Sequence, residues 1–417
     1  MGRINRWTLM IPRFCAYGFL KNLRFFDVFL ILFLRQKGLS FLEIGTLIGI
    51  REMTAMILEV PTGIVADLIG RRKAMITAFL SYIISFLFYY AARNFMWFLP
   101  AVILFGVGDA LRSGTHKAMI LEYLDLRGLS DKKVEVYGRT RSWSQIGSAL
   151  STVIAAVLVF YKGDYGIVFL ASLIPYILDL GLMISYPKEL DGKRSRHLSL
   201  RAVFDFTLHS FRNCWNVRPL RTALLNSSLD KGVYKVAKDY LQPVLKASSM
   251  ALLPFMVRLF PGATEQQATA VAIGVVYSIL YLANSQASRR AYVVQRWLGG
   301  SKRALNWTYF SLLLISSMAF LALRFDLRYL AVLAFLMLAF VENARRPMLV
   351  SYLGAFMERK QRATVLSVES QLSALTAMVM GPVMGFFADH FGISGVFIVS
   401  ILLFTALGIP LRIKEED

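Results

Sequence analysis

The chain has few of the residues from which redox and metal sites are usually built. Its 417 residues include only two cysteines, Cys15 and Cys214, and four histidines. The cysteines lie far apart and have no C-x-x-C spacing, so the sequence predicts neither a disulfide framework nor a zinc site. It also contains no nucleotide-binding P-loop, no G-x-S-x-G turn and no H-E-x-x-H motif. We therefore expect no catalytic site, no bound metal and no cofactor.

Charge is also scarce, whereas apolar residues are abundant. Only 18% of the residues are charged, 56% are hydrophobic, and the mean hydropathy is +0.54. The apolar residues occur in blocks of about 20, the length that a helix needs to cross roughly 30 Å of hydrocarbon. Each crossing segment must be a helix, because lipid offers no hydrogen-bond partners to the backbone. The composition predicts an all-α membrane protein.

Twelve apolar blocks, numbered here as spans 1 to 12, are predicted to cross the membrane. Span 1 follows basic residues, as the apolar segment of a signal peptide does, but it lacks a small-residue cleavage site. We therefore interpret it as a retained first span. The predicted spans are Phe14–Leu34, Leu42–Ala66, Ala74–Ala92, Trp97–Ala118, Ser142–Tyr161, Tyr165–Tyr186, Thr222–Leu245, Ala268–Ala287, Ala304–Leu323, Tyr329–Leu349, Ala363–Ala388 and Ile393–Ile413.

The net charge of +21 is explained better by membrane orientation than by nucleic-acid binding. With both termini on one side of the membrane, most of the 47 Lys and Arg residues lie in loops on that side. Such asymmetry is typical of proteins whose basic loops stay in the cytoplasm. It predicts a multi-pass protein of the cell inner membrane with cytoplasmic N- and C-termini, and no nucleic-acid partner. Without span 7, the basic segments 289–303 and 345–362 would lie outside, so the charge bias also supports a crossing there.

The spans form two predicted six-helix bundles, which are joined by a cytoplasmic linker. Residues 1–186 form the first bundle, residues 187–221 the linker and residues 222–417 the second bundle. The linker is basic and then amphipathic, which predicts a short helix lying on the anionic inner leaflet. A plain cytosolic connector explains the same sequence equally well.

Weak internal similarity relates the two predicted bundles. Asp109 and Arg112 lie three residues apart in span 4, and Glu342 and Arg345 have the same spacing in span 10. Transporters that are built from repeats show similarity of this kind. These four residues lie near the predicted cytoplasmic ends of their spans. We therefore favour ion pairs that stabilise the fold and its two states over contact with a substrate.

Two G-x-x-x-G pairs occur, one in span 2 and one in span 11. They are formed by Gly45 and Gly49, and by Gly381 and Gly385. Such pairs let helix backbones approach closely, either within one molecule or in a dimer. We assign them to packing within the molecule and expect the protein to be a monomer.

The segment Pro61–Ile76, PTGIVADLIGRRKAMI, resembles the signature loop of the major facilitator superfamily. The family pattern is Gly, any residue, Leu, Ala, Asp, Arg, any residue, Gly, two basic residues, two residues of any kind and an aliphatic residue. Leu68 replaces the basic residue that usually follows the aspartate. The matching residues are Gly63, Ala66, Asp67, Gly70, Arg71 and Arg72. The segment lies between spans 2 and 3, as in the family, so the resemblance implies this transporter fold for essentially the whole chain.

The resemblance also implies a gating role for this loop. Gly63 would let span 2 approach a neighbouring helix, and Gly70 would permit the tight turn into span 3. Asp67 would contact the basic turn and the start of span 11, and so hold the cytoplasmic side closed in the outward-open state. The alternative is that Arg71 and Arg72 only set the topology.

Charged side chains inside the spans are costly at membrane depth and are therefore functional candidates. The resemblance implies that spans 1, 4, 7 and 10 line the central cavity, and Arg112 resembles an arginine of span 4 that takes part in coupling. On span 7, Lys231, Lys235 and Lys238 share one helical face, and Asp239 is placed to neutralise Lys235. We predict that five residues of spans 1 and 7 contribute to substrate binding: Arg24, Asp27, Lys235, Lys238 and Asp239. Interhelical ion pairing is the alternative.

Two further carboxylates, Asp179 in span 6 and Glu369 in span 11, have no charged neighbour in their spans. Either would be a candidate protonation site if it is buried, because desolvation favours the neutral form of a carboxyl group.

Together these features predict a secondary transporter that moves a small solute by alternating access. Energy would come from an ion gradient, and protons carried by Asp27, Asp239 or another buried carboxylate are the simplest choice; uniport stays open. The cations inside the spans, above all the lysine face of span 7, favour an organic anion as substrate. The alternatives are proton-driven efflux of a drug or amphiphile, and a non-transporting sensor. The expected partners are the solute, protons and membrane lipids.

Overall fold

The computed structural model describes most of the chain, and its regular elements are helical. No strand occurs in the described ranges, which confirms the predicted all-α class. The amphipathic part of the predicted linker lies almost entirely outside them. The described residues are 10–129, 132–191, 212, 215–356, 362–408 and 410–413, without the side chains of Val134 and of residues 362–364.

The helices of the described chain are labelled α1 to α16 in order. The first eight are α1 Met10–Lys21, α2 Leu30–Gln36, α3 Phe41–Ile69, α4 Arg71–Ala91, α5 Phe95–Arg112, α6 Thr115–Leu126, α7 Lys133–Lys162 and α8 Ile167–Ile184. The others are α9 Arg218–Ala237, α10 Leu241–Ser249, α11 Leu253–Leu259, α12 Glu265–Trp297, α13 Ser301–Arg324, α14 Arg328–Gly354, α15 Arg362–Phe391 and α16 Ser394–Gly408.

Seven helices of the described chain are long and apolar enough to cross a membrane. They correspond to predicted spans 3, 4, 5, 6, 8, 9 and 11. Spans 1, 2, 7 and 10 are interrupted or more highly charged, and span 12 forms the shorter apolar helix α16. The seven are Arg71–Ala91, Phe95–Leu126, Glu135–Lys162, Ile167–Ile184, Glu265–Trp297, Ser301–Arg324 and Val365–Phe391.

Helix α4 illustrates how the apolar residues are divided between the protein interior and its surroundings. Phe79 and Phe86 are buried, whereas Leu80, Ile84 and Leu87 on the same helix are exposed. A helix that is hydrophobic all round is typical of a membrane span, in which the exposed side chains contact lipid. This pattern agrees with a multi-pass membrane protein.

Span 1 is interrupted, whereas the sequence predicted a continuous helix over Phe14–Leu34. Helix α1 ends at Lys21 and α2 begins at Leu30, and the residues between them form turns. The side-chain amide of Asn22 donates a hydrogen bond to the carbonyl oxygen of Gly18 at 2.6 Å. It thereby competes with the backbone N–H for the acceptor that a continued helix would use. This local bond is a physical reason for the end of α1.

Span 7 also deviates from a regular helix near its middle. Between Ala237 and Leu241 the chain forms a 3₁₀ turn over Lys238–Tyr240. Pro243 follows, and proline has no N–H to donate to the carbonyl of Asp239, the residue four positions earlier. The irregular turn lies where this hydrogen bond is missing, and 3₁₀ turns inside helices often mark hinges.

The helices form two compact units. Unit 1 comprises Met1–Phe29 and Thr54–Val203, and unit 2 comprises Leu30–Met53 and Phe204–Asp417. The second half of span 1 and the first half of span 2 therefore group with the C-terminal helices, although they precede them by far in the sequence. Within unit 2, the N–H of Ile31 donates to the side-chain oxygen of Gln242 at 2.8 Å. The bundle boundaries inferred from the sequence stay a prediction.

Glycines of span 2 and span 11 allow two backbones of unit 2 to touch. A Cβ atom on Gly45 would overlap the carbonyl oxygen of Gly381, and one on Gly385 would overlap that of Phe41. This confirms that the G-x-x-x-G pairs serve packing within the molecule. No such contact is seen at Gly63, because a Cβ there would meet no atom of the described residues within 4 Å, and its predicted role stays a prediction.

Replacing Gly381 by leucine should therefore destabilise the protein markedly. The new side chain would collide with the backbone at Gly45, which cannot move away as a flexible side chain would, and overpacking typically costs about 1–3 kcal/mol. Thermal unfolding of the purified protein in detergent, followed by fluorescence, measures the effect. Gly63→Ala is the matched control and should unfold at or above the wild-type temperature, because it adds a methyl group in open space and removes glycine from a helix. Equal stability of the two variants would contradict the close contact.

Candidate functional site

The interruption of span 1 places charged side chains against span 4 in unit 1. Arg24 lies 3.9 Å from Asp27 and 3.8 Å from Asp109, and Arg112 lies 3.1 Å from Asp109. The Tyr82 hydroxyl donates to Asp109 at 2.6 Å and accepts from Arg112 Nε at 3.0 Å. Two arginines and two aspartates thus form a cluster without net charge.

This cluster alters the interpretation of two predicted substrate-binding residues. Arg24 and Asp27 were expected on one face of a continuous helix, but both lie in the non-helical segment between α1 and α2. In the cluster, Arg24 of span 1 and Arg112 of span 4 both lie close to the carboxylate of Asp109, which also belongs to span 4. Ion pairing, the structural alternative for these residues, is therefore present. The coupling role of Arg112 stays a prediction.

A cavity of about 370 Å³ opens beside this cluster in unit 1. Four cationic side chains line it, from α1, from the region where α5 meets α6, and from α7: Lys21, Arg112, Lys117 and Arg141. None of the described residues that line it carries a carboxylate. Its lining also includes the polar side chains of Asn22, Thr140, Ser144 and Gln145. The cavity is therefore electropositive and rich in hydrogen-bond donors.

Aromatic groups shape the wall of this cavity. The ring of Tyr17 stacks on that of His116, with centroids 3.6 Å apart and planes inclined by 18°. The ammonium group of Lys117 lies 5.4 Å from the ring centroid of Tyr137, within the range of a cation–π contact. These contacts position the rings of α1, α6 and α7 in the cavity lining.

Three of the four cations of the cavity form no salt bridge with a described carboxylate. In the described part of the chain, no salt bridge joins Lys21, Lys117 or Arg141 to an acidic side chain, and only Arg112 is paired, with Asp109. Cations that surround a cavity without internal counterions are placed to bind an anion from outside. Sequence reasoning counted Lys21, Arg112 and Lys117 among the cations inside the spans, but not Arg141, which directly precedes predicted span 5.

Asp179 in unit 1 is buried, as a protonation site would be. Its side chain is 0% exposed, and neither oxygen receives a hydrogen bond from the described residues. It lies one helical turn after Tyr176, whose hydroxyl donates to the carbonyl of Lys21 at 3.3 Å. The burial on which its candidate role depends is thus present, and the role itself stays a prediction.

The signature loop ties three helices of unit 1 together. Gly70 has φ +103°, a conformation that glycine adopts without strain, and a Cβ there would contact the carboxylate of Asp191. Asp191 accepts a hydrogen bond from the N–H of Arg72 at 2.8 Å, at the start of α4. The guanidinium of Arg72 donates to the carbonyl oxygens of Met183 and Ile184 at the end of α8. Sequence analysis did not single out Asp191, which lies in the basic part of the predicted linker.

Asp67 has a local partner in the same loop. It lies 3.6 Å from Arg71, which also lies 3.3 Å from Glu122 on α6. The predicted contact of Asp67 with the start of span 11 concerns residues 357–361 and the side chains of residues 362–364, which lie outside the described residues. The gating role of Asp67 stays a prediction.

Each lysine of the span 7 face is paired with a carboxylate in unit 2. Lys231 contacts Glu369 of span 11 at 3.0 Å, Lys235 contacts Glu52 of span 2, and Lys238 contacts Asp239 at 3.0 Å. The expectation that Asp239 neutralises Lys235 is wrong, because the two take different partners. Glu369 is likewise not isolated. With their charges compensated, these lysines no longer support an anionic substrate.

Span 10 is joined to span 7 by a buried ion pair. Arg345 and Asp230 are each 2% exposed and lie 3.0 Å apart, and Arg345 also hydrogen bonds to Asn226. Glu342 interacts electrostatically with Asp230 and Arg345. Glu342 and Arg345, which were expected to form stabilising ion pairs, thus both interact with Asp230 of span 7, a residue that the sequence analysis did not single out.

Comparison with known proteins identifies the family. The Major Facilitator Superfamily model matches residues 14–368. The uncharacterized MFS-type transporter YxaM of Bacillus subtilis (strain 168) is 21% identical over 404 residues, which cover 93% of this chain and 92% of that protein.

Two solved structures show the same fold. A mutant of the nucleoside transporter NupG has a TM-score of 0.73 and 14% identity, covering 97% of this chain and 98% of that one. The D-xylose-proton symporter has a TM-score of 0.63 and 15% identity, covering 95% and 96%. With a family match over most of its length, this chain belongs to the Major Facilitator Superfamily of membrane transporters.

Proposed function

We propose that this protein is a secondary transporter that carries a small organic anion across the cell inner membrane by alternating access, coupled to protons. Both termini lie in the cytoplasm, as the distribution of basic loops favours. The protein acts as a monomer and performs transport rather than catalysis. The two solved structures are named for a nucleoside and for xylose with protons. The second name supports proton coupling as a property worth testing in this chain.

The electropositive cavity of unit 1 is the observation that carries this proposal. Guanidinium and ammonium groups form charge-assisted hydrogen bonds with carboxylates and phosphates, which are stronger than bonds between neutral groups. Lys21, Lys117 and Arg141 form no salt bridge in the described chain, and no described carboxylate lines the cavity, so an anion would compensate their charge. A volume of about 370 Å³ suits a small metabolite.

Flux measurements with chemically distinct solutes test this proposal. Proteoliposomes containing the full chain would be given labelled succinate, glycerol 3-phosphate, uridine, xylose or tetraphenylphosphonium. We expect uptake above that of empty liposomes for at least one of the two anions, stimulated by a pH gradient. Uptake or competition by uridine, xylose or tetraphenylphosphonium, with no effect of either anion, would contradict an anionic substrate. Binding without flux would indicate a non-transporting sensor.

A second cavity gives some support to the alternative, efflux of an amphiphile. It has a volume of about 540 Å³ in unit 2 and is lined mainly by apolar groups from α13 and α16, including Trp307, Phe310, Leu313 and Phe404. A cavity of this kind suits an apolar or amphipathic compound. The tetraphenylphosphonium arm of the flux experiment addresses this alternative directly.

A further inference from the structure

The cavity of about 540 Å³ in unit 2 has both exposed and buried apolar walls. Trp307 and Phe310 of α13 are 56% and 55% exposed, whereas Phe404 of α16 is 3% exposed. The cavity therefore extends from the surface of unit 2 toward its interior. Exposed apolar side chains of a membrane span contact lipid, so lipid tails have direct access to this cavity.

The residues of this cavity lie at one end of their spans. Trp307 belongs to the first turns of α13, and Arg412 lies at the end of predicted span 12. With both termini in the cytoplasm, span 9 begins and span 12 ends at the inner face of the membrane. Tryptophan is enriched at such interfaces, where its ring lies at the level of the lipid headgroups. The cavity is thus placed within the inner leaflet.

Two asparagines that line the cavity hold its charged end in place. The side-chain amide of Asn226 donates to the carbonyl oxygen of Leu411 at 3.0 Å. Asn306 donates to the carbonyl oxygen of Ile413 at 2.8 Å and accepts from the N–H of Ile413 at 3.1 Å. These bonds fix the backbone on both sides of Arg412, which is exposed and lines the same cavity. The position of this guanidinium group is therefore built into the fold of unit 2.

The charge at this end of the cavity is positive. No described residue that lines the cavity is acidic, and Arg412 forms no salt bridge with a described carboxylate. The first turns of α9 and α13, the helices that carry the two asparagines, have no acidic residue either. Anionic lipids give the inner leaflet a negative surface potential that attracts such basic positions. The basic residues of these two turns are Arg218, Arg221, Lys302 and Arg303.

We propose that this cavity binds one anionic phospholipid of the inner leaflet, with an acyl chain against Trp307 and Phe310 and the phosphate at Arg412. The acyl chain alone would not select the site, because lipid tails are as apolar as the side chains that they would contact. Selection comes from the guanidinium group, which forms charge-assisted hydrogen bonds with phosphate oxygens. A cationic amphiphile would instead meet a like charge. The inference goes beyond the proposed function, since it does not depend on which solute is transported.

Fluorescence quenching by brominated lipids tests this site on the full chain. The protein would be placed in phosphatidylcholine vesicles that contain increasing fractions of phosphatidylglycerol or phosphatidylcholine with brominated acyl chains. The difference between the wild type and Trp307→Phe isolates the emission of Trp307. We expect half-quenching of this emission at a roughly five-fold lower fraction of the brominated anionic lipid, because one basic side chain at the membrane surface attracts an anionic lipid by about that factor. Arg412→Gln should abolish this preference.

Matched controls separate a specific site from general attraction of anionic lipid to a basic protein. Arg324 is exposed at the other end of α13, and Arg324→Gln should retain the full preference. Trp297, which is 85% exposed at the end of α12, should show a much smaller preference when it is isolated by Trp297→Phe. Equal quenching of Trp307 by the two brominated lipids, or an unchanged preference in Arg412→Gln, would overturn the proposal. Relief of the quenching by free glycerol 3-phosphate or by tetraphenylphosphonium would also overturn it, in favour of a site for a soluble phosphate or a cationic amphiphile.

Discussion

Replacing Lys21 by methionine is expected to weaken the binding of a small organic anion about 10- to 100-fold. Lys21 lines the electropositive cavity of unit 1 and forms no salt bridge with the described residues. Its ammonium group is therefore available to a ligand, and a hydrogen bond to a charged group is worth about 1.5–3 kcal/mol. Methionine keeps most of the side-chain volume, so folding should be preserved. Inhibition of labelled uptake by unlabelled succinate or glycerol 3-phosphate measures the affinity.

Two further variants make this result specific. Lys21→Arg preserves the charge and should bind the anion far better than Lys21→Met does. Lys246→Met removes a lysine that pairs with Glu265 at 3.3 Å in unit 2, and it should leave the affinity unchanged. If Lys21→Met and Lys246→Met bound the anion equally well, the electropositive cavity would not be the binding site.

Replacing Arg345 by methionine is expected to destabilise the protein by about 3–5 kcal/mol. The change leaves Asp230, 2% exposed, without its cationic partner, and a buried charge that loses its counterion carries this penalty. It also removes the hydrogen bond between Arg345 and Asn226. Thermal and denaturant unfolding in detergent would show the loss as a lower transition midpoint.

The neighbouring arginine and the double variant provide the controls. Arg346 is exposed, and Arg346→Met should unfold as the wild type does. The double variant Arg345→Met with Asp230→Leu should recover part of the stability, because replacing both members of a buried ion pair by apolar residues is often close to neutral. Equal midpoints for Arg345→Met and Arg346→Met would show that the buried pair contributes nothing to stability.

The all-α class and the family were predictable because both depend on local sequence. Apolar blocks of the length of the membrane indicate helices directly, and the signature loop PTGIVADLIGRRKAMI is a contiguous motif. The break after Lys21 was not predicted, since Arg24 and Asp27 have the spacing of a helical pair as well as that of a charged turn. The hydrogen bond from the Asn22 side chain to the Gly18 carbonyl, which favours the turn, depends on a side-chain rotamer that the sequence does not specify.

The partners of the charged residues were beyond sequence reasoning for a different reason. Lys235 meets Glu52 and Lys231 meets Glu369, across separations of 183 and 138 residues. One sequence contains no signal that pairs positions so far apart, and the carboxylates of neighbouring turns are equally plausible candidates. The anion hypothesis was therefore based on span 7, whereas the described structure supports it at Lys21, Lys117 and Arg141.

The glycine contact between spans 2 and 11 has a mechanical consequence. Where Gly45 lies on Gly381, main chain packs directly against main chain, and neither position has room for a Cβ atom. The two helices are therefore held at a separation that only glycine allows at these positions. A bulkier residue at either position would push the two helices apart, and we expect it to slow transport even in molecules that still fold.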